Sequence, residues 1–152
     1  MRASRKGFTL IEILIVVIIL GILAAIVIPN FSSASSDARH SALASTVQSL
    51  RTQVEAYRIQ HKDKLPPPAQ FWTLLMAVTD ADGNMPPAPG ETQYGPYMSE
   101  AINNSLNSLN SVADGTVAPG SQASSSCGYQ YDYTGGSGKI WGTDYDGKTI
   151  LP

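Results

Sequence analysis

The chain has 152 residues, and its 10 basic and 12 acidic side chains give a formal net charge of −2 at pH 7. Three of the basic residues lie within the first six positions, so the rest of the chain is acidic and has no basic stripe of the kind that binds nucleic acid. A single cysteine, Cys127, excludes a disulfide within the chain.

A long apolar stretch follows the basic N-terminal residues. From Phe8 to Ile28 the only charged side chain is Glu12. A helix of this length rises about 30 Å, the thickness of the hydrocarbon core of a bilayer. Because basic residues precede the stretch and none follows before Arg39, we predict a single-pass span with its N-terminus in the cytoplasm.

Glu12 needs a partner, because a carboxylate in a membrane helix costs about 2.5 to 3.5 kcal/mol. Cleavage between Gly7 and Phe8 would create an α-amino group one helical turn from Glu12, and the amine of a neighbouring chain is a second suitable partner. Cleavage after the apolar stretch is disfavoured, because Ile26-Val27-Ile28-Pro29 lacks the small residues of a secretory cleavage site.

The run Gly7-Phe8-Thr9-Leu10-Ile11-Glu12, with the apolar residues up to Pro29, resembles the N-terminus of type IV pilins and type II secretion pseudopilins. This resemblance covers Lys6 to Pro29. It implies that a prepilin peptidase cleaves after Gly7 and methylates the new terminal Phe8, and that Glu12 pairs with the terminal amine of an adjacent subunit. The alternative is a plain signal anchor with a chance glutamate.

The resemblance divides the chain into a leader (1–7), a transmembrane and filament-core helix (8–29) and a periplasmic globular domain (30–152). Gly21 and Pro29 are helix-weakening residues. In the resembled family the helix loosens in this region when subunits enter a filament. The alternative is that both residues are tolerated as in any membrane helix.

After Pro29 the apolar residues recur at helical spacing, which predicts an amphipathic helix continuing to about His61. The predicted apolar stripe is Phe31, Ala34, Ala38, Ala42, Thr46, Val47, Leu50, Val54 and Tyr57. His40 and His61 have no cysteine or paired carboxylate at ligand spacing, and we predict that both are solvated.

The prolines in Lys64–Pro68 end this helix. Gln70–Val78 predicts a short buried helix, and Thr79–Gly95 predicts a connecting loop. Gly95-Pro96-Tyr97-Met98 resembles the Gly-Pro-Tyr-Leu turn of major pseudopilins. Asn103–Ser126 is dominated by Asn, Ser, Gly and Ala, which predicts an exposed loop.

A β-hairpin is predicted near the C-terminus. Its strands are Gly128–Tyr133 and Lys139–Thr143, joined by a turn at Gly135–Gly138. The predicted fold class is therefore α+β and pilin-like, with a long N-terminal helix packed on a small antiparallel sheet.

We predict no cofactor. Asp144 and Asp146 resemble part of the acidic C-terminal loop of major pseudopilins, where calcium stabilises the fold, and oxygen-rich loops suit this ion. A simple Asp-Gly turn is the favoured alternative. Asp80, Asp82, Asn84 and Glu91 have part of the EF-hand spacing, but Met85 stands where that loop needs glycine.

These features predict a structural subunit of a type II secretion pseudopilus, and a type IV pilin of a surface fibre is the alternative. We expect no catalysis. The expected partners are further copies of the chain, a prepilin peptidase and methyltransferase, an inner-membrane assembly platform and other pseudopilins. The expected location is the inner membrane with the globular domain in the periplasm. The single cysteine favours the pseudopilin, although Cys127 could still join two chains.

Overall fold

The computed structural model describes residues 7–115, 119–123 and 125–151. The chain divides into two compact units, residues 1–38 and 39–152. The elements are helix α1 (Leu10–Gln60), helix α2 (Phe71–Met76) and strands β1 (Val112–Asp114), β2 (Tyr129–Tyr131) and β3 (Ile140–Gly142). This arrangement confirms the predicted α+β class. Of the predicted leader, residues 1–6 lie outside the described residues, and the predicted domain boundaries stay predictions.

The first unit contains the N-terminal part of α1. Every large hydrophobic side chain from Leu10 to Ile28 is 50% or more exposed. By length and composition this helix includes a stretch able to cross a membrane, with a mean hydropathy of 3.3. A helix that is apolar on all sides is stable only where lipid or other apolar helices surround it.

The second unit is built on the C-terminal part of α1. One stripe of this helix is buried in the core, with spacings of three and four residues. It consists of Leu43, Val47, Leu50, Val54 and Tyr57, and the buried His61, the first residue after the helix, continues it. The predicted stripe is thus confirmed from Val47 to Tyr57. It is wrong before that point, because Phe31, Ala34, Ala38 and Ala42 are exposed and Leu43 is the first buried residue.

Helix α2 closes the core beside α1. A 3₁₀ turn at Pro68–Gln70 leads into it, and Phe71, Leu74 and Leu75 are buried. The predicted short buried helix is therefore confirmed, with narrower bounds than Gln70–Val78. The following loop is closed at its base by a bridge between Thr79 and Tyr94.

The turn at Gly95 fastens the end of this loop to both helices. Tyr97 and Met98 donate their backbone N–H groups to the carbonyl of Leu75, at 2.8 and 3.1 Å. The Tyr97 hydroxyl donates to Gln60 Oε1 at 2.6 Å. Gly95 has φ +80°, and a Cβ there would lie 2.6 Å from the Ala77 carbonyl oxygen, so this turn requires glycine.

The sheet has the strand order β1-β2-β3. Strands β2 and β3 form the predicted antiparallel hairpin, with Tyr129 opposite Gly142 and Tyr131 opposite Ile140. The prediction of a purely antiparallel sheet is wrong, because β1 pairs with β2 in parallel, Val112 lying opposite Tyr129. The connection between β1 and β2 is long enough for such a crossover, whereas a short hairpin turn imposes an antiparallel pair.

The segment predicted as an exposed loop, Asn103–Ser126, contributes to the core. Strand β1 lies within it, and Asn104 and Leu106 are buried. Asn104 Nδ2 donates to the carbonyls of Gly128 and Thr143 at 2.8 and 2.7 Å, and its Oδ1 accepts from the Leu106 N–H at 2.8 Å. Composition misled the prediction, since a buried amide is stable when all its hydrogen bonds are made.

The prediction for His61 is wrong as well. Its side chain is fully buried and its ring stacks on Tyr57, with centroids 3.7 Å apart. Nδ1 lies 2.7 Å from the Tyr57 carbonyl oxygen and Nε2 lies 2.8 Å from Thr79 Oγ1. His40 is half-buried, with its ring edge-on to Tyr145. The contact with Thr79 joins His61 to a separate segment of the chain, and no local sequence pattern indicates it.

We expect Asn104→Ala to lower the free energy of unfolding of the second unit by about 1 to 3 kcal/mol, because the Thr143 carbonyl loses its Asn104 donor and the Leu106 N–H loses its acceptor. The measurement is denaturant unfolding of the full chain in detergent, followed by the fluorescence of Trp72 and Trp141. Asn103→Ala is the matched control at an exposed site. Equal losses in the two variants would contradict a structural role for Asn104.

Candidate functional site

The N-terminal segment around Gly7, Phe8 and Glu12 is organised by a hydrogen-bonded cap on α1. The Thr9 N–H and the Thr9 hydroxyl both donate to Glu12 Oε2 at 2.8 Å. In return, the Glu12 N–H donates to Thr9 Oγ1 at 3.3 Å. These reciprocal bonds form a capping box, so the helix begins at Leu10. Gly7 and Phe8 therefore lie outside the helix, and Phe8 is 84% exposed.

Thr9 is a site residue that the sequence prediction missed. The signal was present, because Thr9-Leu10-Ile11-Glu12 fits the Ser/Thr-x-x-Asp/Glu spacing of a capping box before an apolar run. The capping bonds use one carboxylate oxygen of Glu12. An ionised carboxylate has about four acceptor positions, so Glu12 retains the capacity to accept from a further donor.

Gly21 and Pro29 both lie inside α1, which runs without interruption from Leu10 to Gln60. A Cβ at Gly21 would meet nothing within 4 Å, so this chain alone gives no packing reason for glycine. Pro29 has no backbone N–H and cannot donate to the preceding turn. The loosening of the helix at these residues in a filament stays a prediction.

Comparison with known proteins also singles out the N-terminal segment. Residues 2–28 match the family described as the prokaryotic N-terminal methylation motif. The predicted recognition of a prepilin-type N-terminus is thereby confirmed, and the motif includes Gly7, Phe8, Glu12 and Gly21.

Several relatives share similarity with the chain. It is 30% identical over 95 residues to the type II secretion system core protein G of Klebsiella michiganensis, covering 62% of the chain and 61% of the relative. It is 37% identical over 60 residues to the core protein G of Pseudomonas aeruginosa, covering 40% and 42%. It is 41% identical over 63 residues to the type IV major fimbrial protein FimA of Dichelobacter nodosus, covering 41% and 40%.

The chain thus spans between about two fifths and three fifths of the length of these curated relatives. No solved structure shows a significant match to the chain.

Beyond the methylation motif, the predicted calcium residues Asp144 and Asp146 lie in the turn after β3. Asp146 Oδ1 accepts from the N–H groups of Thr149 and Lys148 at 2.8 and 2.7 Å, and its Oδ2 accepts from the Thr149 hydroxyl. These bonds lower the pKa of Asp146, the Thr149 N–H contributing most. Asp144 Oδ1 accepts from the Tyr145 N–H at 2.8 Å.

This geometry is that of a hydrogen-bonded Asp-Gly turn. In residues 7–115, 119–123 and 125–151 no group of three or more His, Cys, Asp or Glu side chains is placed to hold a metal ion. The two carboxylates fit calcium poorly, because the hydrogen bonds of the turn already engage Asp146. Calcium binding at Asp144 and Asp146 stays an untested prediction.

The same turn has a spacing that suggests another chemistry. Gly142 to Thr149 fit Gly-x-x-x-x-Gly-Lys-Thr, the pattern of a phosphate-binding loop. In that motif the loop leads from a strand into a helix, whose N-terminus binds the phosphate. Here Thr143 bridges Ile150 and Thr149 bridges Gln122. Because extended chain follows the turn where a helix is required, the geometry rejects a phosphate loop.

The second predicted acidic loop is organised around Asp80, which is buried. Its carboxylate accepts from the side chain and backbone N–H of Asn84 at 2.9 and 3.0 Å. It also accepts from the backbone N–H groups of Ala88 and Asp82. These bonds, led by the Asn84 side chain, lower the pKa of Asp80 strongly. Asp82 accepts from Lys62 and Lys64 at 2.9 and 3.0 Å. The carboxylates therefore hold the loop together instead of converging on a cation.

Cys127 is buried between β1 and the C-terminal residues, packed with Ala123 and Ile150. Burial raises the pKa of its thiol, which lowers the thiolate fraction. A disulfide between two chains would require local opening of this cluster, so the structure favours a structural role for Cys127.

We expect Thr9→Val to weaken the start of α1 by about 0.5 to 2 kcal/mol, because valine keeps the shape of threonine without its hydroxyl. The measurement is hydrogen exchange of the Glu12 amide in lipid nanodiscs, which should accelerate by about 2- to 30-fold. Thr9→Ser, which keeps the hydroxyl, is the control. Identical exchange in both variants would show that the capping box does not form in the membrane.

We expect the stability of the second unit to depend on pH through Asp80. A carboxyl whose folded pKa is lowered stabilises the fold above its unfolded pKa, about 3.9, and this contribution is lost as the pH falls below that value. Asp80→Asn should therefore be less stable than the unmodified chain at pH 7 and lose less on acidification. The measurement is denaturant unfolding at pH values from 7 to 2. Gln93→Ala, an exposed change on the same loop, should behave like the unmodified chain, and parallel curves for Asp80→Asn would refute the assignment.

Proposed function

We propose that this chain is a structural subunit of a periplasmic pseudopilus of a type II secretion system. The observation that carries the proposal is the methylation motif at residues 2–28, which continues into an apolar helix without packing partners in its own unit. The relatives named core protein G support the same reading. On this proposal the chain catalyses nothing and is itself the substrate of processing.

Processing takes place at Gly7 and Phe8. The prepilin peptidase hydrolyses the peptide bond between them and N-methylates the α-amino group of Phe8. The capping box supports this step, because it starts the helix at Leu10 and leaves the scissile bond in exposed, non-helical backbone. A peptidase needs an accessible bond of this kind.

Assembly follows through Glu12 and the apolar helix. The Glu12 carboxylate accepts a hydrogen bond from the positively charged terminal amine of Phe8 in an adjacent subunit. This ion pair neutralises both charges in an apolar setting. This pairing offsets the cost of about 2.5 to 3.5 kcal/mol for a carboxylate in the membrane. The exposed apolar side chains from Leu10 to Ile28 then pack against those of other copies in the filament core.

The proposal implies a location and a set of partners. The chain is a single-pass inner-membrane protein, with its N-terminus in the cytoplasm and its second unit in the periplasm. Its partners are other copies, the prepilin peptidase and methyltransferase, the inner-membrane assembly platform and other pseudopilins. We expect no nucleic-acid partner, because the exported part has more acidic than basic side chains.

A type IV pilin of a surface fibre is the second candidate, supported by the 41% identity to the fimbrial relative over 63 residues. The pseudopilin is favoured because the similarity to the core protein G of Klebsiella michiganensis runs over 95 residues and so must include residues outside the first 60, which end with α1. The turn at Gly95 also favours the pseudopilin, because it resembles the Gly-Pro-Tyr-Leu turn of major pseudopilins. The single cysteine favours it as well, because many type IV pilins have a C-terminal disulfide.

We expect intact mass and N-terminal fragmentation of the membrane-extracted protein to show a chain that begins at methylated Phe8. A bulky substitution such as Gly7→Val should leave the leader attached, because it changes the residue on the amino side of the scissile bond. Gly21→Val, at the other glycine of the motif, is the matched control and should be processed normally. An unmodified chain that still begins at Met1 would refute the proposal and indicate a simple membrane anchor.

A further inference from the structure

A cavity lies in the second unit where the C-terminal end of α1 meets α2, the loop organised around Asp80 and the segment after β2. Its volume is about 320 Å³, within the range of about 300 to 1,000 Å³ that is usual for small-molecule sites. It is lined in part by Tyr57 of α1, Leu74 of α2, Gly83 of the Asp80 loop and Tyr133 after β2. Segments far apart in sequence therefore form one concave surface, which the proposed function does not use.

The Tyr57 hydroxyl lies on the side of the cavity formed by the Asp80 loop. A Cβ added to Gly83 would lie 3.0 Å from the Tyr57 hydroxyl oxygen, so glycine keeps this side open. Burial raises the pKa of Tyr57, and its hydroxyl therefore stays neutral at physiological pH. A neutral phenol both donates and accepts hydrogen bonds.

The phenol of Tyr131 adjoins the cavity wall. Its ring packs against those of Phe71 and Tyr133, with centroids 5.2 and 6.3 Å apart. The side chain is fully buried, and its hydroxyl makes no hydrogen bond to any residue that the structure describes. Burial raises the pKa of Tyr131, and the phenols of Tyr133 and Tyr57 raise it further, so the three tyrosines are neighbours. A buried polar group without a partner needs an explanation, and a bound ligand beside it supplies one.

The charges of the lining cancel. Lys64 Nζ lies 3.0 Å from Asp82 Oδ1, and both side chains line the cavity. Lys62 lies 2.9 Å from the same carboxylate oxygen. The hydrogen bonds from Lys62 and Lys64 lower the pKa of Asp82, so its carboxylate stays ionised. Asp82, followed by Glu91 and Asp80, raises the pKa of Lys62, so this second cation has acidic neighbours as well. A charged ligand would therefore leave water without gaining an unpaired counter-charge.

The uncharged part of the lining combines hydrogen-bonding groups with apolar surface. The tyrosine hydroxyls and the side-chain amide of Gln70 both donate and accept. Leu65, Pro67 and Leu74 form apolar walls. A sugar ring has the matching chemistry, because its hydroxyl groups donate and accept around the ring edge and leave C–H groups on the ring faces. An inorganic ion or a wholly apolar ligand matches only one part of such a lining.

We infer that this cavity binds one neutral sugar unit. The side chains of Tyr57, Gln70 and Tyr133 hydrogen-bond its hydroxyl groups, and the apolar walls pack against its C–H face. Lys64 and Asp82 at the rim are 53% and 52% exposed, so a free sugar and the end of a longer glycan can both enter. The inference does not depend on the proposed function, which rests on residues 2–28 and the apolar helix.

Saturation-transfer NMR on the full chain in lipid nanodiscs tests this site, because detergents with sugar headgroups would compete for it. The neutral probes are glucose, galactose and N-acetylglucosamine, and the charged probes are glucuronate and galacturonate. We expect saturation transfer to at least one neutral probe, with a Kd lower than that of both charged probes. Preference for N-acetylglucosamine would assign an amino-sugar glycan as the ligand, and preference for glucose or galactose an unsubstituted sugar. Absence of transfer to every neutral probe, or tighter binding of a charged one, would overturn the inference.

A matched pair of variants locates the binding. Tyr133→Phe removes one hydroxyl group and keeps the ring, and we expect it to raise the Kd of the bound sugar about 3- to 10-fold, the effect of one net hydrogen bond. Tyr145→Phe is the control, because Tyr145 is exposed in the turn after β3 and does not line the cavity. Equal effects of the two changes, including no effect of either, would place the binding elsewhere and overturn the inference. The proposed function would survive that outcome, because processing at Gly7 tests it separately.

Discussion

An apolar helix with no packing partner in its own unit, and with a carboxylate in its first turn, is the constraint on which the rest of the structure depends. Its large hydrophobic side chains from Leu10 to Ile28 are at least 50% exposed, so lipid or further helices must cover them. Thr9 satisfies part of the Glu12 carboxylate and fixes the start of the helix. The free acceptor positions of Glu12 suit a cation, and the terminal amine that the proposed cleavage creates, on the same chain or on an adjacent one, is such a group.

The second unit depends on polar anchors as much as on its apolar stripe. Arg51 ties α1 to the carbonyl of Ile140 in β3, and Gly142 lies so close to α1 that an added Cβ would be 2.6 Å from Leu43 Cδ2. Asn104 joins the segment after the Gly95 turn to the carbonyls of Gly128 and Thr143. These contacts fix how a small sheet lies on one helix, where few apolar residues are available to do so.

The sequence predictions succeeded for elements that local sequence encodes and failed for features that depend on contacts between distant segments. Helix α1, helix α2 and the β2–β3 hairpin were predicted because local periodicity and turn residues encode them. Strand β1 and the burial of His61 were not, because each depends on partners distant in sequence: β2 for β1, and Thr79 for His61. At the candidate site, Gly7, Phe8 and Glu12 were assigned from a contiguous motif, and their roles stay predictions. Thr9 was overlooked although its spacing to Glu12 carries the capping signal.

The difference between the apolar helix and the second unit explains why the choice between the two proposed functions, pseudopilus and surface fibre, must rest on the second unit. A helix that meets only lipid and copies of itself is constrained to be apolar on all sides, whatever the filament is used for. A shared helix therefore carries little information about the machine. The Gly95 turn requires glycine because of the nearby Ala77 carbonyl, and the Asp80 loop requires its set of donors. Such specific polar contacts constrain the sequence of the second unit in a way that an all-apolar helix does not, so similarity that continues past α1 is more informative than the methylation motif.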